Sequence, residues 1–302
     1  MAGIGLLGVP ANSAGRTDGV AGASAALRAA GLVDALQRAT SVTDYGDVPL
    51  PPPSPERDPA TGLIDSAGLK ALVERVRAGV ASILADGRFP LVVGGDCPLL
   101  LGCLAAFGSV DRRGLLFVDG HEDAYPPERS TTGEAADMEL AFALGIVEAP
   151  WWPELAAASP LVLPGHVRLL GPRDSALLEA EGVLSLAGRL PFVDGSALAA
   201  DPSAHTSAAV ASLPASWWFH LDLDVLSTDA LPAVDYPQEG GLGWEALDVI
   251  AETAMRAEPM GWDVTIYNPD LDPERVHARR IVEFIEAAAR RMPRSYRSAV
   301  QG

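Results

Sequence analysis

Short apolar runs alternate with amphipathic helical segments along most of the chain. The helical pattern is clearest at 65–87, where apolar residues keep a 3.6-residue period between a capping Asp65 or Ser66 and Gly87. Similar periodicity covers 243–258 and 273–292. The apolar runs that predict strands are 4–9, 40–45, 89–94, 115–119, 167–171, 183–186, 217–224 and 262–267.

These eight strands are almost continuously apolar and several are separated by helices. That order predicts an α/β fold with a parallel sheet that is covered by helices on both faces. The sequence has no internal repeat, and its one proline-rich stretch (48–62) is short enough to be a surface loop. We therefore expect a single domain over residues 1–302.

The composition of the chain limits the binding partners and the cellular location that we expect. The formal net charge of −18 argues against binding to nucleic acid or to an anionic membrane surface. The two cysteines, Cys97 and Cys103, lie six positions apart on a predicted loop and helix, so a structural disulfide is not expected. No secretory segment is recognisable, and these features together predict a cytoplasmic protein.

Polar side chains follow three of the apolar runs, at the point where each predicted strand ends. They are Asp96 and Cys97 after the run 89–94, Asp119, His121 and Asp123 after 115–119, and Asp222 and Asp224 at the end of 217–224. Ligands of parallel sheets bind beyond the carboxyl ends of the strands. Side chains at i, i+2 and i+4 of an extended segment point to one side. The last two clusters therefore aim four carboxylates and one imidazole into a shared space.

So many carboxylates need a counter-charge, because neighbouring like charges cannot all ionise. Mostly oxygen ligands with one imidazole favour a hard to borderline divalent ion such as Mn²⁺. Two such ions about 3.5–4 Å apart would share a water and make it a nucleophile near neutral pH. A single D-x-D is more often a helix or turn cap, but the two clusters together predict a metal-dependent hydrolase.

At these residues the sequence resembles the ureohydrolases, the family of arginases and agmatinases. Three motifs carry the resemblance, in the family's order and spacing: GGDC at 94–97, DGHED at 119–123 and HLDLDVL at 220–226. Weaker matches lie at 19–32, 169–174, 239–242 and 268–269. The resemblance implies a three-layer α/β/α sandwich around an eight-stranded parallel sheet. It also implies a binuclear manganese cluster and C–N bond hydrolysis of a guanidino, amidino or related small substrate by a metal-bridging hydroxide.

The resemblance also assigns the ligands. Asp119, Asp123 and Asp222 would bind one manganese with the residue at position 97, and His121 and Asp224 would bind the second, with Asp119 and Asp222 bridging. Position 97 is a cysteine where most relatives have histidine. A thiolate suits Mn²⁺ poorly, so the first ion is expected to be weak or of another kind. Alternatively, Cys97 is only a small buried apolar residue.

Three further departures fall on positions that bind substrate in arginases. Ala136 occupies the place of a proton-shuttling histidine, Ile266 that of a glutamate for the guanidinium, and Ala176 that of an acidic residue for the amino group. We therefore expect poor activity on L-arginine. Glu134 and Asp137, beside the vacant histidine position, could replace its charge or its proton shuttle; equally, they only start a helix.

Two alternatives remain open from the sequence. His220 has the same strand parity as Asp222, so it either supports the metal ligands or is a buried core histidine. The chain is either an active hydrolase or an inactive protein of the same fold that keeps a metal for structure or regulation. Family analogy adds a homo-oligomer, a trimer or hexamer, to the expected partners beside a small-molecule substrate.

Overall fold

A single sheet of eight parallel strands forms the centre of the molecule in the computed structural model, which describes residues 3–154 and 160–293. The strands are β1 (Ile4–Gly8), β2 (Val42–Asp47), β3 (Phe89–Val93), β4 (Arg113–Val118), β5 (Val167–Leu170), β6 (Phe192–Val193), β7 (Ser216–Asp222) and β8 (Gly261–Thr265). Their order across the sheet is β2-β1-β3-β8-β7-β4-β5-β6. This confirms the predicted fold class.

Helices cover both faces of the sheet. They are α1 (Ala23–Ala29), α2 (Leu32–Gln37), α3 (Ser66–Ala85), α4 (Leu99–Ala105), α5 (Glu139–Leu144), α6 (Ser175–Ala180), α7 (Gly195–Ala200), α8 (Pro202–Ala211), α9 (Trp244–Arg256) and α10 (Val276–Ala289). Helices α3, α4 and α5 pack in one hydrophobic core, and α1, α2, α9 and α10 pack in the other. The result is the three-layer sandwich that the sequence predicts.

Successive side chains of each central strand point to opposite faces of the sheet, so these strands contribute residues to both hydrophobic cores. Phe219 of β7 faces the layer of α9 and α10, whereas Trp218 faces the layer of α3 and α4. The longest helix, α3, begins where predicted, because the Asp65 carboxylate accepts a hydrogen bond from Gly68 N at 3.1 Å. Among the described residues, no helix is long and apolar enough to cross a lipid bilayer.

One predicted strand is wrong. Residues 183–186 do not join the sheet, and the sixth strand is Phe192–Val193. The backbone N–H of Val183 bonds Leu178 O at the end of α6, and that of Leu186 bonds the Glu122 carboxylate. These donors are therefore unavailable for pairing with a neighbouring strand, although the segment is apolar.

The strand order places the polar strand ends side by side. After β3 the chain crosses to β4, and β8 and β7 later fill the gap between these two strands. The carboxyl ends of β3, β8, β7 and β4 therefore lie next to one another at the middle of the sheet. Ligands of open α/β sheets bind at such a crossing point.

Candidate metal centre and substrate cavity

Two overlapping groups of metal-type side chains lie at these strand ends, and we call them together the floor; three of their members, Cys97, His121 and Asp224, line the cavity described below. One donor atom each from Asp119, His121 and Asp224 lies within 4.8 Å of the other two. A second group, with the same spacing, consists of Cys97, Asp119, Glu139 and His220. Asp119 belongs to both groups, which is the arrangement that a carboxylate bridging two ions requires.

The first group is held together by His121. Its Nδ1 lies 2.8 Å from Asp224 Oδ2 and 3.7 Å from Asp119 Oδ1. Burial disfavours the charged ring, but the two carboxylates dominate and raise the pKa of His121 well above its usual value. Burial also opposes the charge of Asp119, yet His121 and His220 hold the pKa of that carboxyl below its ordinary value.

Cys97 lies directly beside the predicted ligand Asp222. Its Sγ donates to Asp222 Oδ2 at 2.7 Å and is 3.2 Å from Thr265 Oγ1. Burial, followed by the charge of Asp222, raises the pKa of the Cys97 thiol well above its usual value. Cys97 thus faces the cluster of predicted ligands. Both cysteines are free thiols, as predicted.

Asp123 also reaches this floor, and it brings a residue that sequence reasoning missed. Asp123 is buried, and burial followed by the charge of Asp119 raises the pKa of its carboxyl well above the usual value. The neighbouring Glu139, the first residue of α5, is fully buried with the same direction of shift. Glu139 lies in none of the three motifs, so its only sequence signal was a charge at the start of an otherwise apolar helix.

These side chains fit a divalent metal centre. Asp119 Oδ2, His220 Nε2 and both oxygens of Glu139 are buried without a hydrogen-bond partner in the described part of the chain. Buried polar atoms are rarely left unpaired in native proteins. Burial first, and then the charge of neighbouring acids, raises the pKa of the Asp123 and Glu139 carboxyls, and a bound cation would oppose both effects.

Neighbouring loops hold the floor in place. Arg173 donates to the backbone oxygens of Asp224 and Val225 at 2.9 and 3.2 Å. Glu122, fully buried, accepts from Ser175 Oγ at 2.6 Å and from Ser185 Oγ at 2.8 Å. The loop after β4 is therefore tied to the turn that begins α6, which carries the G-P-R-D match.

A cavity of about 390 Å³ opens above the floor. We call its outer lining the wall, and five carboxylates belong to it: Glu134, Asp137, Asp174, Glu181 and Asp235. None of the described lining residues is lysine or arginine. Two divalent ions would neutralise the inner aspartates but would leave the carboxyl groups of the wall.

Glu134 and Asp137, predicted as catalytic candidates, both line this cavity. Glu134 Oε1 accepts from Tyr236 OH at 2.8 Å, and burial raises the pKa of Glu134. Asp137 Oδ2 accepts from the hydroxyls of Ser130 and Thr132. Burial raises the pKa of Asp137 to about 6. Neither residue lies within α5; Glu134 precedes the short 3₁₀ turn Ala135–Asp137 before that helix, and Asp137 is the last residue of the turn.

Backbone strain concentrates around the cavity. Six described residues other than glycine have positive φ, and three of them line it: Asp123 at 43°, Tyr236 at 53° and Ile266 at 69°. A β-branched residue such as Ile266 is a genuine outlier there. Such strain costs about 1–3 kcal/mol for each residue and is typical of functional sites. Ile266 and Ala136 both face the cavity, as their alignment with substrate-binding positions predicts.

Comparison with known proteins agrees with this geometry. Residues 2–289 match the model of the arginase family. Arginase-1 of Homo sapiens is 27% identical over 286 residues, which cover 90% of this chain and 88% of that protein. Arginase of Bacillus caldovelox is 34% identical over 175 residues, but this match spans only 56% of the chain and 58% of that relative.

Solved structures show the same fold over nearly the full length. The structure of Bacillus caldovelox arginase superposes with a TM-score of 0.83 at 25% identity, over 96% of this chain and 98% of that one. Agmatine ureohydrolase of Thermoplasma volcanium superposes with a TM-score of 0.71 at 17% identity, over 98% and 91%; this likeness is of fold alone. The resemblance seen in the three motifs is confirmed: the chain belongs to the arginase family of ureohydrolases and is a hydrolase.

Proposed function

We propose that this protein is a metal-dependent hydrolase that cleaves a C–N bond in a small cationic guanidino or amidino compound. The observation that carries the proposal is the cavity itself. Two groups of ligand-type side chains that share Asp119 reach it through Cys97, His121 and Asp224, and further carboxylates form its wall.

The ligands follow from the geometry of the floor. Asp119, His121 and Asp224, with Asp222 beside them, would hold Mn²⁺, because oxygen and imidazole donors suit that ion. Cys97 and Asp123 border the position of a second ion. Two bound divalent ions would lower the pKa of a shared water and supply a nucleophile near neutral pH.

The wall selects the charge of the substrate. An acidic cleft of low dielectric attracts cations and repels anions. The chain as a whole carries a formal charge of −18, which acts in the same direction. A substrate that keeps a free carboxylate, such as L-arginine, would meet the wall without a described lysine or arginine in the lining to balance it.

Either Glu134 or Asp137 would donate a proton to the leaving amine. Both are carboxyl groups on the wall beside Ala136, the position where arginases carry a histidine. Their hydroxyl partners, Tyr236 for Glu134 and Ser130 and Thr132 for Asp137, fix the orientation of each carboxyl. A positioned acid with a raised pKa suits this step.

The fold does not choose the substrate. Solved structures similar to this one include, besides arginases, a proclavaminate amidino hydrolase from Streptomyces clavuligerus and a formimidoylglutamase from Bacillus subtilis. The names of these proteins indicate different substrates on the same sheet. The charge of the wall is the feature by which this chain limits its own substrates.

A panel assay tests the proposal. The manganese-loaded protein would be incubated with agmatine, L-arginine, an N-hydroxyguanidine and an N-formimidoyl compound, and the release of urea and ammonia would be measured. We expect agmatine and similar cations to be cleaved with higher kcat/KM than L-arginine. Protein with full metal content that releases nothing from any compound would favour the alternative, a structural or regulatory metal site.

Two further predictions rest on family analogy. A homo-oligomer, a trimer or hexamer, is expected, and light scattering on the purified protein tests it. A cytoplasmic location is expected, and cell fractionation tests it.

A further inference from the structure

The floor contains two buried side chains outside the ligand set that the three motifs define. His220 lies on β7 and Glu139 begins α5, and both are completely buried. His220 Nε2 and both Glu139 oxygens have no hydrogen-bond partner among the described residues, and the same is true of Asp119 Oδ2 between them. Such atoms indicate a missing partner that all of them face.

A chain of hydrogen bonds holds the His220 ring in one orientation. Its Nδ1 lies 2.6 Å from Asp263 Oδ2, and Asp263 Oδ1 accepts from Trp218 Nε1 at 2.5 Å. A metal-bound histidine almost always donates its second ring N–H to a carboxylate or carbonyl in this way, which fixes its tautomer. With the proton on Nδ1, the lone pair of Nε2 points toward the floor.

A hydrogen bond to Asp119 does not account for this arrangement. His220 Nε2 is 3.8 Å from Asp119 Oδ2, which is too far for an N–H···O hydrogen bond. A protonated His220 would therefore leave its Nε2–H unsatisfied in a fully buried position. Two ligand atoms that are each about 2.1 Å from one ion lie about 3–4 Å apart, so the observed distance suits a shared metal.

We propose that Cys97, Asp119, Glu139 and His220 form one of the two metal subsites, and that this subsite prefers Zn²⁺ to Mn²⁺. The inference rests on the metal-dependent hydrolase proposed above and deepens it. The donor atoms lie within 4.8 Å of one another and comprise one sulfur, one imidazole nitrogen and two carboxylate oxygens. That mixture suits zinc, whereas thiolate suits manganese poorly.

The two subsites then differ in chemistry although they share Asp119. The subsite of Asp119, His121 and Asp224 has no sulfur donor and keeps its preference for manganese. In the other, His220 supplies from β7 the imidazole that position 97 lacks. Cys97 is then one member of a complete set of metal ligands, and it does not weaken the binding of the ion that this subsite holds.

Replacement of His220 by asparagine tests the subsite with little change in shape. His220→Asn keeps an N–H near the Nδ1 position for Asp263 but removes the Nε2 ligand. The half-buried His277 on α10 provides the matched control, His277→Asn. Zinc and manganese would be titrated separately into protein stripped of metal, with ion content measured by plasma emission spectrometry.

We expect wild type and His277→Asn to bind one zinc tightly and one further ion, and His220→Asn to lose the tight zinc. Glu139→Gln should weaken zinc by at least about 10–100-fold, the range known for the outer partners of metal ligands. A His220→Asn variant that binds every ion as wild type does would overturn the subsite, while the hydrolase proposal would stand. Wild type that binds no ion would overturn the hydrolase proposal as well.

A spectroscopic measurement covers the case in which His220→Asn does not fold. X-ray absorption at the zinc edge would be recorded on wild-type protein and on His121→Asn, which removes the imidazole of the other subsite. Sulfur and imidazole scattering that persists in His121→Asn supports the proposal. A zinc shell without sulfur, or without imidazole once His121 is replaced, contradicts it.

Discussion

The floor and the wall of the cavity have different origins in the sequence. The floor is made of residues at the ends of β3, β7 and β4, together with Glu139 at the start of α5, and its aspartates are almost entirely buried. The wall comes from separate segments, the loops around 125–137 and 235–238 and the segment 174–181 that contains α6, and several of its side chains are partly exposed. The aspartates and His121 of the floor match the arginase motifs and Cys97 does not, whereas the wall departs from the family at Ala136 and Ile266.

This difference shows which part of the chemistry the fold fixes. Parallel strands set the spacing of the floor, so a ligand can change only if another strand end or helix start compensates, as His220 and Glu139 do for Cys97. Loops set the wall, so its charges can change without disturbing the sheet. The reaction type follows from the floor, and the choice of substrate follows from the wall.

The largest effect is expected from the residue common to both groups on the floor. Asp119→Asn should weaken the binding of each ion by more than about 100-fold, because a direct ligand matters more than the outer partners that cost that much. Hydrolysis should fall to background. Metal analysis together with the panel assay measures both, and the exposed Asp111→Asn serves as control. Full occupancy in Asp119→Asn would refute the assignment of the floor.

Most of the floor could be predicted from the sequence because its ligands follow apolar runs at a spacing of two residues. Asp119, His121 and Asp224 were placed together on that basis, and the structure brings them together. Asp224 reaches its place from a 3₁₀ turn and not from the predicted extended segment. Asp222 is the last residue of β7. Its carboxylate accepts a hydrogen bond from Asp224 N at 2.7 Å, and the turn begins there.

Other parts could not be predicted because they depend on contacts that are distant in sequence. Glu139 carries no motif, and its burial beside Asp119 and Asp123 follows only from how α5 packs. The role of His220 depends on Asp263 in another strand, 43 positions away. The prediction of the sixth strand at 183–186 is wrong because an apolar run gives no sign that the Glu122 carboxylate accepts a hydrogen bond from one of the backbone N–H groups of that run.

The next effect concerns the proton that the leaving amine requires. Glu134→Gln and Asp137→Asn each remove a carboxyl group from the wall but keep its shape. The replacement of the residue that transfers the proton should lower kcat by about 10²–10⁴-fold, a much larger change than the rise in KM that follows from the loss of one wall charge. The exposed Glu128→Gln is the control for charge loss on the same loop. If neither variant lowers kcat, the proton comes from the floor or from solvent.

A gain of function should follow from restoring the acid that arginases carry at position 266. The Ile266 side chain faces the cavity, so Ile266→Glu would aim a carboxylate at the substrate. A charge pair in a buried site is worth about 2–5 kcal/mol, and 1.4 kcal/mol corresponds to about tenfold. We expect kcat/KM for L-arginine to rise by at least about tenfold.

The neutral variant Ile266→Gln separates charge from shape at this position. It has nearly the size of glutamate and would have to adopt the same positive φ, but it cannot pair with a guanidinium. An equal gain in both variants would mean that relief of an apolar contact, and not a new ion pair, improves arginine cleavage.

The smallest expected effect tests whether the wall selects cations by its overall charge. Glu181 lies one residue beyond α6, is exposed, and accepts a hydrogen bond from Tyr125 OH at 2.9 Å. An exposed charge contributes about 0.2–1 kcal/mol to an ion pair, so Glu181→Gln should reduce kcat/KM for agmatine by no more than about fivefold. The loss should shrink in high salt, because screening already weakens the interaction.

The control, Glu179→Gln, removes the same charge from an exposed position of α6 that does not line the cavity. Equal losses in the two variants would indicate that net charge alone attracts the substrate. A loss confined to Glu181→Gln would show that the wall selects the cation where it enters the cavity.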